Sequence, residues 1–501
     1  LFARFRAQIL CIFKMFCYFA SESQQFMKKN ILISREYECS VLQECMKSKR
    51  SELVIVYGRR RVGKTYLVEQ FFDKTYDFTF VGAHRASGRV QLRNFAKSIK
   101  KYSGCDELPK YDDWYEAFDA LAEHLGSLPT NRKKVVFFDE MPWIDTSRSE
   151  FVTALENFWN AWASRRDDIV FIASGSATSW MVDKLVDNQG GLHARITAHI
   201  YLRPFTLLET EQYLRQSGCR WDRYQILQCY MLFGGVPFYL SLLKPKDSLV
   251  QNIDRLFFMP NAQMRMEFDE LFNALFVNAD QYVALARALA QHREGMTRGE
   301  LAKVYGSNGN QLTKFLNNLV RCDFVERVAH FGKKRNDSVY RLVDCYTLFY
   351  YKFIENDDSK DKAWWSHNFD SPAVLSWMGF AYELVCLKHI DQIKKAMGIS
   401  GISTSVSSWR GKGGKQGGAQ IDLVIDRADR YVNLCEIKFA KGEFVLTAEY
   451  EDKLRNRMAV FESETKTRKS VVTTFITTYG VHNGKGRSIV HNELTLSDLF
   501  Y

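Results

Sequence analysis

The stretch Tyr57-Gly58-Arg59-Arg60-Arg61-Val62-Gly63-Lys64-Thr65 decides the fold of the first half of the chain. It follows the apolar run 53–57, which is short enough for one buried strand, and a helix-compatible run over 66–72 comes after it. A G-x-x-x-x-G-K-T pattern between a strand and a helix is typical of a P-loop, whose glycines let the backbone wrap closely around a phosphate. The loop N–H groups and the start of the helix then face the anion. The alternative is a glycine-rich turn that matches by chance, and the preceding strand argues against it.

The P-loop assigns roles to its own side chains. Lys64 is expected to reach the β- and γ-phosphates of a nucleoside triphosphate, and Thr65 is expected to bind Mg2+ through its hydroxyl. The sequence therefore predicts ATP and Mg2+ as cofactors. The residues predicted to contact the nucleotide are Gly58, Arg59, Arg60, Arg61, Val62, Gly63, Lys64 and Thr65.

A second motif supplies the acidic groups that such a site needs. In the run 133–140, two basic residues lead into four apolar residues and then into Asp139-Glu140. This order is typical of a buried parallel strand whose polar tip lies at the carboxyl edge of the sheet, where ligands bind. We expect Asp139 to hold the Mg2+ shell and Glu140 to act catalytically by polarising the attacking water. Without the P-loop, a solvated strand end would be the better interpretation.

Composition indicates a multidomain protein of ordinary globular character with an anionic partner. A length of 501 residues suggests two to four domains, and 46% hydrophobic and 25% charged residues are ordinary for a soluble protein. The net charge of +11 favours a nucleotide or nucleic acid as partner. Eleven cysteines without a C-x-x-C pair suggest idle thiols in a reducing compartment, which favours the cytoplasm. No run reaches the roughly 18 apolar residues of a membrane helix, so no membrane partner is expected.

Residues 1–30 are interpreted as an N-terminal extension that we expect to be disordered. The run 1–20 is apolar, but Arg4, Arg6 and Lys14 interrupt it and no good cleavage site follows. A signal peptide is the alternative interpretation of this run. The chain begins with Leu, and we expect the native start at Met27, which would place residues 1–26 outside the native protein.

Between 31 and 204, apolar strand-like runs alternate with longer helix-like runs after a lead-in helix over 31–50. This alternation predicts a parallel sheet covered by helices on both faces. The fourth strand ends in Ser174-Gly175-Ser176, where a polar residue could sense the γ-phosphate or the attacking water, with an ordinary turn as the alternative. Arg195 could reach the nucleotide of a neighbouring subunit, with a plain surface role as the alternative. The predicted strands are 53–57, 77–82, 134–138, 168–174 and 196–202, and the predicted helices are 89–102, 112–125, 149–165 and 176–186.

Three further segments follow this predicted core. Residues 205–280 predict a helical lid over the nucleotide, with one break at 233–237, where Gly-Gly precedes Pro. Residues 281–345 predict a winged helix of three helices and two strands with a basic wing tip over 332–337. This module either contacts DNA or packs against the first domain without meeting DNA. Residues 346–375 form a connecting segment whose aromatic side chains we assign to an inter-domain core. The candidate DNA-contacting residues are Gln311, Lys314, Asn317, Asn318 and Arg321.

The last predicted domain, 376–501, carries a second set of charged residues. The runs 419–426 and 431–438 predict a hairpin after a Gly- and Lys-rich loop over 411–418. Glu436 and Lys438 lie two apart and so share a face, where Asp422 and the helical Glu383 can join them. Asp422 and Glu436 can bind Mg2+, and Lys438 can orient a hydroxide for phosphodiester cleavage. The alternative is an alternating strand whose exposed face is charged.

The motifs together resemble those of the prokaryotic "archaeal ATPase" family, which is related to the AAA+ and STAND P-loop ATPases. The resemblance rests on the P-loop 58–65, on Asp139-Glu140 and on Gly234-Gly235-Val236-Pro237, and it spans about 31–500. The C-terminal part resembles the nuclease-like domain of unknown function that is often fused to this family.

That domain has a PD-(D/E)xK pattern, which is similar to Asp422 and Glu436-Ile437-Lys438 here, with Ile421 in place of the proline and Glu383 on the preceding helix. The resemblance implies an α/β protein with four parts. These are a P-loop parallel-sheet ATPase domain, a helical lid, a winged helix, and a C-terminal α/β restriction-endonuclease-like domain.

Two functional hypotheses follow from these motifs. In the first, a Mg2+-dependent ATPase couples its nucleotide state to a DNA-directed, nucleolytic C-terminal domain, with ATP, DNA and further copies of the chain as candidate partners. In the second, ATP drives a signalling switch whose degenerate nuclease fold binds a protein partner. ATP hydrolysis is assigned to Lys64, Thr65, Asp139 and Glu140, and cleavage of a phosphodiester to Asp422, Glu436 and Lys438.

Overall fold

The computed structural model describes residues 32–501 except positions 147, 177, 178, 182, 183, 186–191, 193, 194, 277, 333–337 and 412–418. The predictions for the N-terminal extension, for the proposed start at Met27, for most of the wing tip and for most of the Gly- and Lys-rich loop lie outside the described residues.

A five-stranded sheet in the order β2-β3-β4-β1-β5 forms the centre of the N-terminal domain, and all its pairs are parallel. This confirms the predicted parallel α/β sheet. Every residue of β3 and β4 is buried, because helices cover both faces and leave these strands no solvated side. The strands are β1 (Glu52–Gly58), β2 (Phe78–Val81), β3 (Lys134–Asp139), β4 (Ile169–Ser176) and β5 (Ala198–Leu202).

Alternate side chains of the central strand β1 enter separate hydrophobic clusters on the two faces of the sheet. Leu53 and Ile55 lie in one cluster, and Val54 and Val56 lie in the other, as the two-residue period of a strand requires. Of the predicted helix 149–165, only the part up to Ala161 is α-helical, and a 3-10 turn follows. The α-helices of this domain are Glu36–Lys47, Lys64–Phe71, Gly88–Ser103, Trp114–Ser127, Met141–Ile144, Phe151–Ala161 and Ser179–Met181.

The segment 205–280 is helical, but the prediction of a single break is wrong. Further breaks lie between helices that begin with capping boxes at Asp222 and Ser248, whose side chains accept a backbone N–H of the next turn. The predicted break at Gly234-Gly235 is present, and a side chain at Gly235 would lie 2.1 Å from the carbonyl oxygen of Phe205. The helices are Leu207–Gln216, Arg223–Phe233, Pro237–Ser241, Leu249–Ile253 with a π-helical continuation Asp254–Phe258, and Gln263–Leu275.

Three helices and a small antiparallel sheet in the order β6-β8-β7 follow. Strand β6 was not predicted from the sequence. The third helix buries Leu312, Phe315, Leu316 and Leu319, as expected. The prediction that Asn318 contacts DNA is wrong, because its buried amide donates a 2.7 Å hydrogen bond to the Tyr282 hydroxyl. The elements are helices Ala279–Gln291, Arg298–Tyr305 and Asn310–Arg321 with strands β6 (Met296–Thr297), β7 (Val325–Val328) and β8 (Val339–Leu342).

The C-terminal region contains a mixed sheet in the order β13-β12-β11-β10-β9. The predicted hairpin is confirmed, since β10 and β11 pair antiparallel, whereas β11, β12 and β13 are parallel. Its strands are β9 (Thr404–Gly411), β10 (Ala419–Arg427), β11 (Tyr431–Lys438), β12 (Ser470–Thr477) and β13 (Asn492–Leu494). The helices from 345 onward are Cys345–Phe349 with a π-helical continuation Tyr350–Ile354, Trp364–Asn368, Pro372–Lys388, Ile390–Ala396 and Ala448–Thr465, with 3-10 helices Lys485–Ile489 and Leu496–Leu499.

One hydrophobic cluster joins the helical segment, the three-helix module and the C-terminal sheet. The predicted inter-domain core is confirmed, because Tyr346, Phe349, Phe353 and Trp365 of the connecting segment are buried within this cluster. A shared core of this kind transmits displacements between the parts that it joins. Among the described residues, no helix has the length and apolar character to cross a membrane.

Candidate functional site

The P-loop joins β1 to the helix Lys64–Phe71, and two of its glycines are required by the backbone. A side chain at Gly58 would lie 2.1 Å from the carbonyl oxygen of Leu202 on the neighbouring strand. Gly63 has a φ of 90°, in the left-handed region that other residues rarely adopt. The loop conformation therefore follows from the glycines that the sequence places there.

Lys64 is buried and directs its ammonium group back onto the loop. Its Nζ donates to the carbonyl oxygens of Arg59 at 3.0 Å and Gly58 at 3.5 Å. Burial lowers the pKa of Lys64, and the nearby carboxylates of Glu140 and Asp139 oppose that shift. The ammonium thus bonds to neutral carbonyl oxygens, which phosphate oxygens can replace with a stronger, charge-assisted bond.

The structure brings together the residues that were predicted to share a magnesium ion. The Thr65 hydroxyl donates to Asp139 at 2.8 Å, and the Ser174 hydroxyl donates to the other carboxylate oxygen. Thr65 lies in the first turn of the helix that follows the loop, Asp139 ends β3, and Ser174 lies near the end of β4, which is the strand between β1 and β3. A hydroxyl and a carboxylate oxygen suit Mg2+, which prefers oxygen ligands. Ser174 is therefore directed at Asp139.

Glu140 follows Asp139 in a conformation that is uncommon for a residue with a side chain. Its φ is 49°, in the left-handed region. Burial raises the pKa of its carboxyl, the Lys64 ammonium opposes that rise, and the Asp139 carboxylate adds to it. Backbone strain and a raised carboxyl pKa at the mouth of a phosphate-binding loop are both features of functional sites.

Two of the three loop arginines, Arg59 and Arg61, form ion pairs with residues outside the loop. Arg59 is fully buried and forms an ion pair with Asp344, which lies between β8 and the helix Cys345–Phe349. Arg61 forms a bidentate ion pair with Glu267, at 2.5 Å for each bond. The guanidinium groups of Arg59 and Arg61 are therefore committed within the protein, which leaves their backbone N–H groups for the predicted nucleotide contact.

The helical segment packs directly on the loop. The backbone N–H of Phe238 donates to the Arg61 carbonyl at 3.4 Å, and the Arg61 guanidinium lies 4.0 Å from the centre of the Phe238 ring. Glu267, the partner of Arg61, also accepts a hydrogen bond from the Tyr239 hydroxyl at 3.2 Å. The segment is thus placed to respond to what the loop binds.

Sequence reasoning missed Asp344. It caps the helix Cys345–Phe349 by accepting from the backbone N–H of Thr347 at 2.8 Å, and that N-cap role was its only local signal. Nothing in the sequence indicates its pairing with Arg59, because the two residues lie far apart in the chain. Arg195 is exposed, and its contact with a neighbouring subunit stays a prediction.

The charged residues of the C-terminal sheet also converge. Leu423 pairs with Cys435, so Asp422 and Glu436 are the next positions on the two strands. Glu436 forms ion pairs with Lys438 at 2.7 Å and Arg457 at 3.1 Å and accepts a hydrogen bond from the Tyr450 hydroxyl.

Asp422 accepts a hydrogen bond from the Gln420 amide at 2.9 Å. Glu383, on the helix Pro372–Lys388, adds a third carboxyl to this group. Burial and the nearby charge of Asp422 raise the pKa of Glu383 to about 7, against the opposing charges of Arg341 and Lys438. The described residues contain no group of three or more His, Cys, Asp or Glu side chains in metal-binding geometry. The Mg2+ predicted at Asp422 and Glu436 stays a prediction.

Comparison with known proteins identifies the N-terminal part of the chain. Residues 32–243 match the profile of a family described as an ATPase domain predominantly from Archaea. This region is a P-loop ATPase domain. The ATPase domain binds nucleotide, and its match extends past 204 through the helix Pro237–Ser241, so it includes helices that contact the loop.

Three known proteins are similar to parts of this chain. An uncharacterized protein of Methanocaldococcus jannaschii is 22% identical over 415 residues, which cover 82% of this chain and 88% of that protein. An uncharacterized ATP-binding protein of the same organism is 37% identical over 43 residues, which cover 9% of this chain and 73% of that protein. A Walker-type ATPase of Pyrococcus abyssi is 20% identical with a TM-score of 0.45, over 64% of this chain and 96% of that one.

Proposed function

We propose that this protein is a Mg2+-dependent ATPase that couples its nucleotide state to a DNA-directed, nucleolytic C-terminal domain. The observation that carries the ATPase half is the meeting of the Thr65 and Ser174 hydroxyls on the Asp139 carboxylate, beside the buried Lys64 ammonium. The family match over 32–243 supports the same assignment.

In the proposed hydrolysis, each residue of this group has one task. Lys64 exchanges the carbonyls of Gly58 and Arg59 for the β- and γ-phosphate oxygens, while Thr65 and Asp139 are the residues that would hold Mg2+. When bound, Mg2+ neutralises charge that develops on the phosphates. Glu140 orients the attacking water and accepts its proton, a task suited to a carboxyl whose pKa is raised by burial.

The C-terminal half of the proposal rests on the convergence of Asp422, Glu436, Lys438 and Glu383. Two carboxylates that bind a metal beside a lysine can activate a hydroxide against a phosphodiester. We further propose that the three helices and the β6-β8-β7 sheet form a winged helix. The exposed Gln311, Lys314 and Asn317 on its third helix would contact DNA. The net charge of +11 favours such an anionic partner.

The decisive experiment measures ATP turnover of the full chain with and without plasmid and single-stranded DNA, and then examines the DNA on a gel. We expect DNA to stimulate turnover and Mg2+ or Mn2+ to support cleavage. Cleavage should be lost in Glu436→Ala and kept in Glu449→Ala, a matched change of an exposed carboxylate on the neighbouring helix. Absence of cleavage on every DNA and RNA form, or cleavage that survives Glu436→Ala, contradicts the nuclease half alone.

A second function has an observation of its own in favour. The Glu436 carboxylate already bonds to Lys438, Arg457 and Tyr450. These contacts give the carboxylate a role in stabilising the domain that needs no metal. The alternative is an ATP-driven signalling switch whose C-terminal domain binds a protein partner. This function predicts no response of ATP turnover to DNA, together with nucleotide-dependent oligomerisation in light scattering. Stimulation of turnover by DNA contradicts it.

A further inference from the structure

Strand β8 lies at the centre of its small sheet and is close to both candidate sites. It pairs with β6 on one side and β7 on the other, so the strand is held along both edges. Arg341 lies within β8, and Asp344 lies just past its end. Arg341 lies near the C-terminal carboxylates, whose charges act on it, and Asp344 forms an ion pair with Arg59 of the P-loop.

The contact with the P-loop is a fully buried ion pair. Arg59 and Asp344 are 1% and 0% exposed, so neither charge is solvated by water. Burial disfavours both charges, but each partner offsets that effect, so the pKa of Arg59 rises and that of Asp344 falls. Breaking such a pair leaves an uncompensated buried charge, so the loop and the end of β8 should move together.

Arg59 also accepts a hydrogen bond from Lys64, the residue proposed to bind the phosphates of the nucleotide. Lys64 Nζ donates to the backbone carbonyl of Arg59 at 3.0 Å. Phosphate oxygens compete for that ammonium with a stronger bond, so nucleotide binding removes a hydrogen bond from Arg59. The change at the loop therefore occurs at the residue whose side chain holds Asp344.

At the other end, Arg341 is a buried cation that lies near carboxylates and, in the part of the chain that the structure describes, forms no ion pair with them. It is 5% exposed, and within the described residues its Nε and Nη2 have no hydrogen-bond partner. Burial lowers the pKa of Arg341, and the charges of Asp422, Glu383 and Glu326 oppose that shift. No ion pair within 4.0 Å joins Arg341 to these carboxylates. A buried guanidinium whose N–H groups lack hydrogen-bond partners lowers the stability of the fold. We therefore expect a functional reason for an arginine at this position.

We propose that β8 couples the two sites, with Arg341 acting as a counter-cation that blocks the C-terminal carboxylates until nucleotide binding, transmitted through Arg59 and Asp344, withdraws it. The inference rests on the proposed function for the identity of the carboxylate site. It deepens that function by assigning its regulation to a small set of residues. Coupling between two sites is reciprocal, so occupation of the carboxylates should also change nucleotide affinity.

The test measures amide hydrogen exchange of the full chain, by mass spectrometry, with and without a saturating non-hydrolysable ATP analogue and Mg2+. In the wild type, the analogue should protect the loop 58–66. It should accelerate exchange of the segments 338–344 and 419–438 by about tenfold, within the usual range of allosteric coupling. This readout needs no DNA cleavage, so it is independent of whether the C-terminal site is an active nuclease.

Two variants separate the two ends of β8. Asp344→Asn should keep the protection of 58–66 but abolish the response at 419–438. In the Arg341→Gln protein without the analogue, the amides of 419–438 should exchange at the rate that the wild type shows with the analogue bound. Arg327→Gln, the same change on the adjacent strand at an exposed position, should behave as the wild type.

Three results overturn the coupling. The first is a wild type whose segment 419–438 ignores the analogue while 58–66 is protected. The second is an Asp344→Asn protein that responds as the wild type does. The third is an Arg341→Gln protein whose exchange at 419–438 is unchanged, and this result decides the question even if Asp344→Asn fails to fold. Loss of protection at 58–66 in the wild type would instead contradict the proposed ATPase function.

Discussion

The P-loop and the C-terminal carboxylate group both gather opposite charges, but they hold them differently. In the P-loop, the Lys64 ammonium bonds to neutral backbone carbonyls. In the C-terminal group, the Glu436 carboxylate bonds directly to the cations of Lys438 and Arg457. A charged ligand displaces a neutral partner more readily than a charged one.

This difference teaches that convergence of the right residue types does not by itself make a site ready to bind. The loop presents a cation that a phosphate can take over without breaking an ion pair. The C-terminal group must first lose internal ion pairs before Glu436 can bind a metal. The predictions below break or sharpen this contrast, from the largest expected effect to the smallest.

The largest effect should come from Glu140→Gln, which removes the proposed base but keeps the size of the side chain. Loss of a general base lowers kcat by about 100- to 10,000-fold. Nucleotide affinity should stay within about twofold, because the phosphate contacts are assigned to other residues. Steady-state phosphate release and calorimetric titration with ATP measure the two quantities. Glu123→Gln, an exposed carboxylate change in the same domain, is the control, and unchanged turnover in Glu140→Gln would refute the assignment.

Lys64→Ala should come next. It removes the charged hydrogen bonds to the phosphates, which together contribute about 3–4 kcal/mol, so ATP affinity should fall by about 100- to 1,000-fold. Calorimetric titration with ATP and Mg2+ measures this loss. Lys97→Ala changes an exposed lysine of the same domain and should bind as the wild type does. Wild-type ATP affinity in Lys64→Ala would contradict the assignment of Lys64 as the cation that binds the phosphates.

The third prediction concerns the pH dependence of stability at the carboxylate group. The pKa of Glu383 is about 7 in the folded protein against 4.5 for an ordinary glutamate. The folded state therefore holds this proton more tightly. Its contribution is fully present below about pH 4.5 and is lost as the pH rises through about 7. Relative to Glu383→Gln, which keeps a neutral group, the wild type should lose up to about 3 kcal/mol of unfolding free energy across this window.

Urea unfolding followed by tryptophan fluorescence at several values between pH 4.5 and pH 8 measures that difference. Glu449→Gln, at an exposed position, should show no such pH dependence relative to the wild type. A constant difference between wild type and Glu383→Gln at every pH would mean that the carboxyl titrates normally.

The smallest effect is expected for Arg457→Gln, which removes one of the two cations on Glu436. Its side chain is 34% exposed, so solvent screens the pair and limits its value to about 1 kcal/mol. Freeing one carboxylate oxygen should therefore tighten Mn2+ binding about fivefold. Titration followed by electron paramagnetic resonance measures this, with Asp139→Asn as the background so that the proposed metal ligand of the nucleotide site does not contribute. Weaker Mn2+ binding would show that Arg457 supports the site.

Motifs with a local physical cause could be predicted from the sequence. The glycines of the loop, the apolar strand before it and the Asp139-Glu140 tip led to the parallel sheet and to the meeting of Thr65 with Asp139. The hairpin that carries Asp422 and Glu436 followed from alternation and a turn. The predicted DNA contact of Asn318 failed, because a polar residue on a helix gives no sign that it bonds to a distant tyrosine.

The sequence by itself determined the phosphate-binding loop, the order of strands and helices around it, and the residue types of both candidate sites. These follow from backbone freedom at glycine, from hydrophobic periodicity and from chemistry within short segments. Only the tertiary structure decided that Arg59 pairs with Asp344, that Arg341 lies near the C-terminal carboxylates and that Glu436 forms an ion pair with Arg457. Such pairings join residues far apart in the chain, and they depend on how separately folded segments pack, for which no local pattern exists.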